Sequence, residues 1–143
     1  MGVSRIFWDT NLFIYLLEGS GESFQLTRNL LQRMAERRDE LLTSTLTLGE
    51  VLVKPLEAGR PDIAERYERL LDSPGVRLVP FDRESARMYA QIRRDRSIRP
   101  PDAIQLSCAA AAKTDLFVTN DARLSRKTVP GVHFIAPLAS AFL

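Results

Sequence analysis

Cysteine is all but missing from this chain of 143 residues, where Cys108 stands alone. That excludes an intrachain disulfide framework and is compatible with a reducing compartment. Cys108 lies in the alanine-rich run Ser107-Cys108-Ala109-Ala110 and reads as core rather than nucleophile. Histidine is equally scarce: His133 is the single copy, with neither a carboxylate nor a cysteine next to it in sequence. It gives no basis for a histidine-dependent triad or a zinc set. Glycines are few, and Gly19-Ser20-Gly21 lacks a third glycine in register, so no P-loop or dinucleotide fingerprint is present. No apolar run reaches the roughly 20 residues of a membrane helix. Asp9, Asn11 and Glu18 break the amino-terminal apolar stretch, no small-residue cleavage site follows it, and Ile6 stands where a myristoylation signal needs Ser or Thr. These absences read as a cytoplasmic protein with no membrane anchor.

A large excess of charge of one sign is missing too. Twenty Lys and Arg face 18 Asp and Glu, for a net charge of +2, with a sequence pI near 9.0. Total charge thus argues weakly for a nucleic-acid partner, and its distribution matters more. Hydrophobic residues at 45% and charged residues at 27% give a globular balance. The length suits one domain spanning residues 1–143.

What is present is an alternation of strand-like and helix-like segments. Residues 4–8 read as a strand and 11–18 as a short helix. After the glycine break, 22–37 form a longer helix with Phe24, Leu26, Leu30, Leu31 and Met34 near the 3.6-residue period. Leu41–Ser44 is a strand, 46–57 a helix, and Arg60-Pro61-Asp62 opens a helix that ends near Asp72. Val76–Val79 is a strand, 82–94 a helix capped by Asp82, 101–113 a helix and 116–119 a strand; a last strand covers 132–135 before Pro137. This pattern implies an α/β fold with a mostly parallel sheet covered on both faces. Such sheets bind ligands at the carboxyl ends of their strands, near a topological switch point.

Four acidic residues fit that geometry. Asp9 ends the run Ile6-Phe7-Trp8, and Asp121 follows Leu116-Phe117-Val118-Thr119-Asn120. Glu50 and Asp102 lie in helical segments, Asp102 just after Pro100-Pro101. Each has an ordinary alternative, as a helix cap or turn residue for Asp9 and Asp121, a solvated helix face for Glu50 and a helix-dipole partner for Asp102. If they meet in one cleft, their charges repel and a cation is needed to hold them. A hard divalent ion with oxygen ligands is the expected guest, and metal-assisted phosphodiester hydrolysis the chemistry. Thr10, Asn11, Thr119 and Asn120 flank the strand-end carboxylates and are candidates to bind metal-bound water or a phosphate oxygen, with turn chemistry the plain alternative. Arg93, Arg94, Arg96 and Arg99 lead into Asp102, and Arg123, Arg126 and Lys127 follow Asp121. Arginines beside an acidic pocket suit a polyanionic substrate, Arg96 and Arg99 foremost.

The order strand-Asp9-Thr10-Asn11, Glu50 in the third helix, Pro-Asp102-Ala103-Ile104 opening a late helix, and Thr119-Asn120-Asp121 after a late strand resembles the PIN-domain family across nearly the whole chain. In length and build it is most similar to the VapC-type toxins of toxin–antitoxin pairs. The resemblance implies a three-layer α/β/α sandwich with about five strands. It also implies a Mg2+- or Mn2+-dependent ribonuclease with Asp9, Glu50, Asp102 and Asp121 at its centre, a homodimer, and inhibition by a small antitoxin whose C-terminal segment covers the cleft. Two departures are an Arg-rich segment before Asp102 and Leu124 where many relatives carry an aromatic residue; neither removes a carboxylate. Two rivals remain. A phosphatase similar to the haloacid-dehalogenase-like family wants Asp-x-Asp, and Asn11 holds the second position. A catalytically silent module that binds RNA or a partner would leave a costly acidic cluster unused.

Overall fold

The first strand, β1 (Arg5–Trp8), carries Ile6, Phe7 and Trp8 in succession, all fully buried. Three apolar residues in a row mark a strand covered on both faces. Period-2 geometry then sorts them between two cores. Phe7, with Leu42 and Phe117, joins one apolar cluster. Ile6 and Trp8, with Leu41 and Val118, join another on the opposite face. A sheet with a core on each side is the middle of a three-layer α/β/α sandwich, as expected.

In the computed structural model the described residues are 4–141. After β1 come α1 (Thr10–Glu18), α2 (Gly21–Arg37), β2 (Glu40–Ser44), α3 (Thr45–Glu57), α4 (Pro61–Leu71), β3 (Val76–Val79), α5 (Arg83–Ile92), α6 (Pro100–Ala111), β4 (Leu116–Thr119) and β5 (Phe134–Pro137). Short 3-10 turns occupy Leu124–Arg126 and Leu138–Ser140. The strands are ordered β3-β2-β1-β4-β5, and every pairing is parallel. From β1 the chain builds outward through β2 and β3 and then returns to β1's other side with β4. The switch point therefore lies between β1 and β4, where the crevice at the strand carboxyl ends forms. Phe7 pairs with Phe117 across that junction, their rings stacked at 5.2 Å.

Helices α1 to α4 contribute Leu12, Phe13, Leu30, Met34, Val51, Tyr67 and Leu71 to the core that holds Ile6 and Trp8. Helices α5 and α6 contribute Ile92, Ala103, Leu106, Cys108, Ala109 and Ala110 to the other. The small side chains of α6 let it lie close to its neighbours, and Gly131, at φ 92°, turns the chain over it. A Cβ there would meet the Ala110 Cβ at 3.0 Å. Burial lifts the Cys108 thiol to about 11, which keeps it protonated and fits its reading as core.

Helix ends shift by one or two residues, α5 and α6 stopping at Ile92 and Ala111 against the expected 94 and 113, and one strand is displaced as a whole. The last strand runs over 134–137, two residues later than 132–135. Val132 is buried and closes a turn onto the Val129 carbonyl, so pairing begins only at Phe134. Pro137 ends that strand instead of following it, which an edge position permits because no outer ladder bond is lost. His133 thus sits outside the strand, with its side chain 80% exposed. Among the described residues no helix is long and apolar enough to cross a membrane.

Candidate active site

Asp9 is the residue that leaves β1. Its backbone N–H donates to the Val118 carbonyl of β4 at 3.0 Å, which pins it to the switch point. It also caps α1: the Thr10 N–H donates to its Oδ1 at 2.9 Å. The other oxygen, Oδ2, accepts from the buried Thr119 hydroxyl at 2.9 Å. Thr119 is the last residue of β4, and its Oγ1 in turn accepts the Asp121 N–H at 3.0 Å. One side chain thus ties together the two strand-end carboxylates. Asp121 Oδ1 accepts from the N–H groups of Arg123 and Leu124, at 2.9 and 3.3 Å, which shapes the turn after β4.

Asp102 stands in the first turn of α6, behind Pro100 and Pro101, where the exposed peptide N–H groups favour an anion. Glu50 lies on α3 at the rim of the crevice. Its Oε1 accepts the Thr10 hydroxyl at 2.6 Å. The neighbouring carboxylates act on Asp9 and Asp102. Burial pushes the Asp9 carboxyl up to about 6, against the pull of the Thr119 and Thr10 hydrogen bonds, and the charges of Asp102 and Glu50 push it further the same way. Asp102 is also raised, first by burial; Arg99 opposes this, and Asp121 and Glu50 add to it.

The basic residues expected near the site are divided. Arg99 leans between Asp102 and Asp121, with Nε 3.9 Å and Nη2 4.0 Å from their carboxylate oxygens. Arg123 Nη2 lies 3.7 Å from Asp121. Arg123, Arg126, Lys127 and Ser97 line a shallow basic groove beside the turn after β4. Arg96 is exposed. Of the remaining flanking residues, Asn11 is exposed and Asn120 donates to the Tyr15 hydroxyl at 2.7 Å. Thr119, expected among the groups facing substrate, is fully buried and directed at Asp9 instead.

No group of three or more His, Cys, Asp or Glu side chains among the described residues converges tightly enough to ligate one ion. The donor set nevertheless fits a hydrated hard cation. It consists of oxygens alone, it is mutually repulsive, and Mg2+ ordinarily keeps several waters and takes one or two carboxylates directly. Cys108 and His133 are remote from it, in the α5–α6 core and beside β5 respectively.

Beneath Glu50 lies a buried polar set that sequence reasoning missed. Gln105, three residues past Asp102 on α6, is 2% exposed and touches Thr10, Thr47 and Ser44. Its one signal is a long polar residue between Ile104 and Leu106, in a helix that past Asp102 is otherwise apolar except for Ser107.

No curated protein matches the sequence. Solved structures do match over nearly the whole chain. VapBC2 from Rickettsia felis, bound to a DNA fragment from its promoter, aligns with a TM-score of 0.75 at 16% identity, covering 93% of this chain and 98% of that one. VapC20 from Mycobacterium tuberculosis, a toxin that cleaves the sarcin–ricin loop, aligns with a TM-score of 0.70 at 18% identity, covering 89% and 98%. DNA-bound VapBC from Salmonella typhimurium aligns with a TM-score of 0.67 at 20% identity, covering 95% and 99%. At these identities the likeness is one of fold. The PIN domain matches residues 6–129, from the first core residue of β1 to the loop before β5, and takes in all four carboxylates. This chain belongs to the PIN domain family.

Proposed function

We propose that this protein is a metal-dependent endoribonuclease, the toxin of a toxin–antitoxin pair. The observation that carries the reading is the convergence of Asp9, Glu50, Asp102 and Asp121, from four separate elements, on the crevice between β1 and β4. Similarity of fold to an RNA-cleaving toxin and to toxin–antitoxin complexes supports it.

Asp9, Asp102 and Asp121 would hold one or two Mg2+ ions, or Mn2+, directly or through water, with Glu50 beside them orienting the attacking water. When bound, the ion would lower the pKa of a coordinated water, so that a nucleophile is available near neutral pH, and would offset charge on the leaving 3′-oxygen. The chain's own part is positional. Thr119 fixes the separation of Asp9 and Asp121 through one hydroxyl. Pro100 and Pro101 begin α6 and so set Asp102 in its first turn, beside Arg99. Arg99, Arg123 and Arg126 draw the phosphate backbone toward an acidic pocket that would otherwise repel it. Single-stranded or looped RNA, with an accessible backbone and unstacked bases, suits such an open crevice. A small antitoxin closing the crevice, a homodimer and a cytoplasmic location complete the proposal.

Purified protein incubated with cellular RNA and Mg2+ should release fragments with 5′-phosphate and 3′-hydroxyl ends. Excess chelator should stop the reaction and added Mg2+ restore it. Cleavage that persists in chelator would overturn the metal-dependent reading.

A further inference from the structure

Glu50 is exposed on α3, yet one of its oxygens is held from below. Thr10 Oγ1 donates to Glu50 Oε1 at 2.6 Å. Gln105 Nε2 lies 2.9 Å from both Thr10 Oγ1 and Thr47 Oγ1 and, more distantly, 3.5 Å from Glu50 Oε1 itself, and Gln105 Oε1 accepts the Ser44 hydroxyl at 2.5 Å. Thr43 Oγ1 donates to the Trp8 carbonyl at 2.9 Å and stands 2.8 Å from Thr47 Oγ1. Thr10, Thr43, Ser44, Thr47 and Gln105 are all buried.

Donor counting places every proton in this set. The one hydroxyl proton of Thr43 is spent on the Trp8 carbonyl, so Thr47 must donate to Thr43. Thr47 then accepts from one hydrogen of the Gln105 amide, and Thr10 accepts from the other. The hydroxyl proton of Thr10 has two acceptors within reach, and it goes to the carboxylate of Glu50 at 2.6 Å rather than to the Thr47 oxygen at 3.2 Å. The amide cannot be reversed. With its oxygen toward Thr47, whose proton is already spent on Thr43, two acceptors would face each other across 2.9 Å with no proton between them. Ser44 shows a second sign of commitment. It occupies the N-cap of α3 but makes no side-chain cap bond, and its hydroxyl goes to Gln105 instead.

We propose that Gln105 is a positioning residue of this centre: by filling the acceptor side of Thr10 it directs that hydroxyl at Glu50 Oε1. The proposal rests on reading Glu50 as part of a cation-binding nuclease site. Oε1 is tied to the chain. Oε2, for which no partner is found among the described residues, is the oxygen left for a hydrated ion or its water. One amide thereby links α6, which bears Asp102, to α3, which bears Glu50, and to the strand end that bears Asp9.

The test compares Gln105→Met, similar in size but without hydrogen bonds, with the wild-type chain. Mn2+ affinity, measured by calorimetry, should fall about tenfold, the usual effect of losing a group that orients a metal ligand. In a Glu50→Gln background the same substitution should cause no further loss. In metal-free protein the carbon-13 signal of the Glu50 carboxyl should move toward that of a freely solvated glutamate, while the Asp121 signal stays. A Gln105→Met protein that melts lower but keeps both its Mn2+ affinity and the Glu50 signal would reduce Gln105 to a structural residue and overturn the proposal. Should that variant fail to fold, Ser44→Ala releases the amide from one side and should weaken Mn2+ in the same direction, and unchanged affinity there overturns the proposal equally. If the wild-type chain binds no Mn2+, the nuclease reading fails; the Glu50 carboxyl signal alone then decides whether Gln105 positions that side chain.

Discussion

Asp9→Asn should make the metal-free protein more stable at neutral pH while removing its cleavage activity. The Asp9 carboxyl is raised from 3.8 to about 6, mainly by burial and further by Asp102 and Glu50, despite the Thr119 and Thr10 hydrogen bonds. The folded chain therefore binds this proton more tightly than the unfolded chain does. Between pH values near those two pKa values the folded state holds the extra proton, so stability falls as pH rises through the window and the penalty is complete above about pH 6. A rise of about two pKa units at about 1.4 kcal/mol each sets an upper limit of about 3 kcal/mol. Asn keeps the shape and sheds the charge, but weakens two hydrogen bonds that a carboxylate accepts more strongly. The net gain should be about 1–2 kcal/mol, or a rise of about 3–8 °C in melting temperature for a domain of this size. Thermal melts in chelator at several pH values measure it: the gap should be widest above pH 7 and narrow steadily toward pH 4.5. Added Mg2+ should then stabilise the wild-type chain and leave the variant almost unmoved. A variant that melts at or below the wild-type temperature at pH 7.5, or a gap that does not change with pH, would refute the reasoning.

Three further outcomes follow from the same geometry. Thr119→Val removes the hydroxyl that joins Asp9 to Asp121 and leaves a buried carboxylate short of a donor; it should cost about 1–3 kcal/mol in denaturant titrations and lower cleavage as well. Replacing Arg99 and Arg126 together with Ala should weaken RNA binding at low salt and reduce the slope of log affinity against log salt by about 0.7 for each phosphate no longer neutralised, read by fluorescence anisotropy. Phe117→Ala should cost about 3–5 kcal/mol by chemical unfolding, because it empties the space beneath Phe7 at the switch point.

Most of the architecture was legible because parallel sheets write themselves plainly. Ile6-Phe7-Trp8 and Leu116-Phe117-Val118 are short unbroken apolar runs, each ending near an acidic residue, and both proved to be strands at the centre of the sheet. The helix starts at Pro61 and Pro100 and the Asp82 cap follow local rules that need no tertiary context. The last strand was misplaced because Val132 looks like a strand residue; only its burial in the turn onto Val129 takes it out of the ladder. The four carboxylates are legible as candidates by their position at strand and helix ends. Gln105 was not, for a physical reason. A polar residue on a helix reads as solvated unless its partners are known, and here they come from α1, β2 and α3, separated from it by 55 to 95 positions in sequence. Thr119 was noticed, but sequence alone could not tell a hydroxyl facing substrate from one turned inward to Asp9.

The most direct test of the central claim is cleavage of a mixed cellular RNA pool with Mg2+ by the wild-type protein and by an identically purified Asp102→Asn variant, after any bound antitoxin has been removed. Asp102 is half-buried at the start of α6 and holds no part of either core, so its substitution should leave folding intact. Discrete fragments from the wild-type protein alone are the predicted result. Equal cleavage by both proteins would contradict the account, because the activity would then not depend on the carboxylates that converge between β1 and β4.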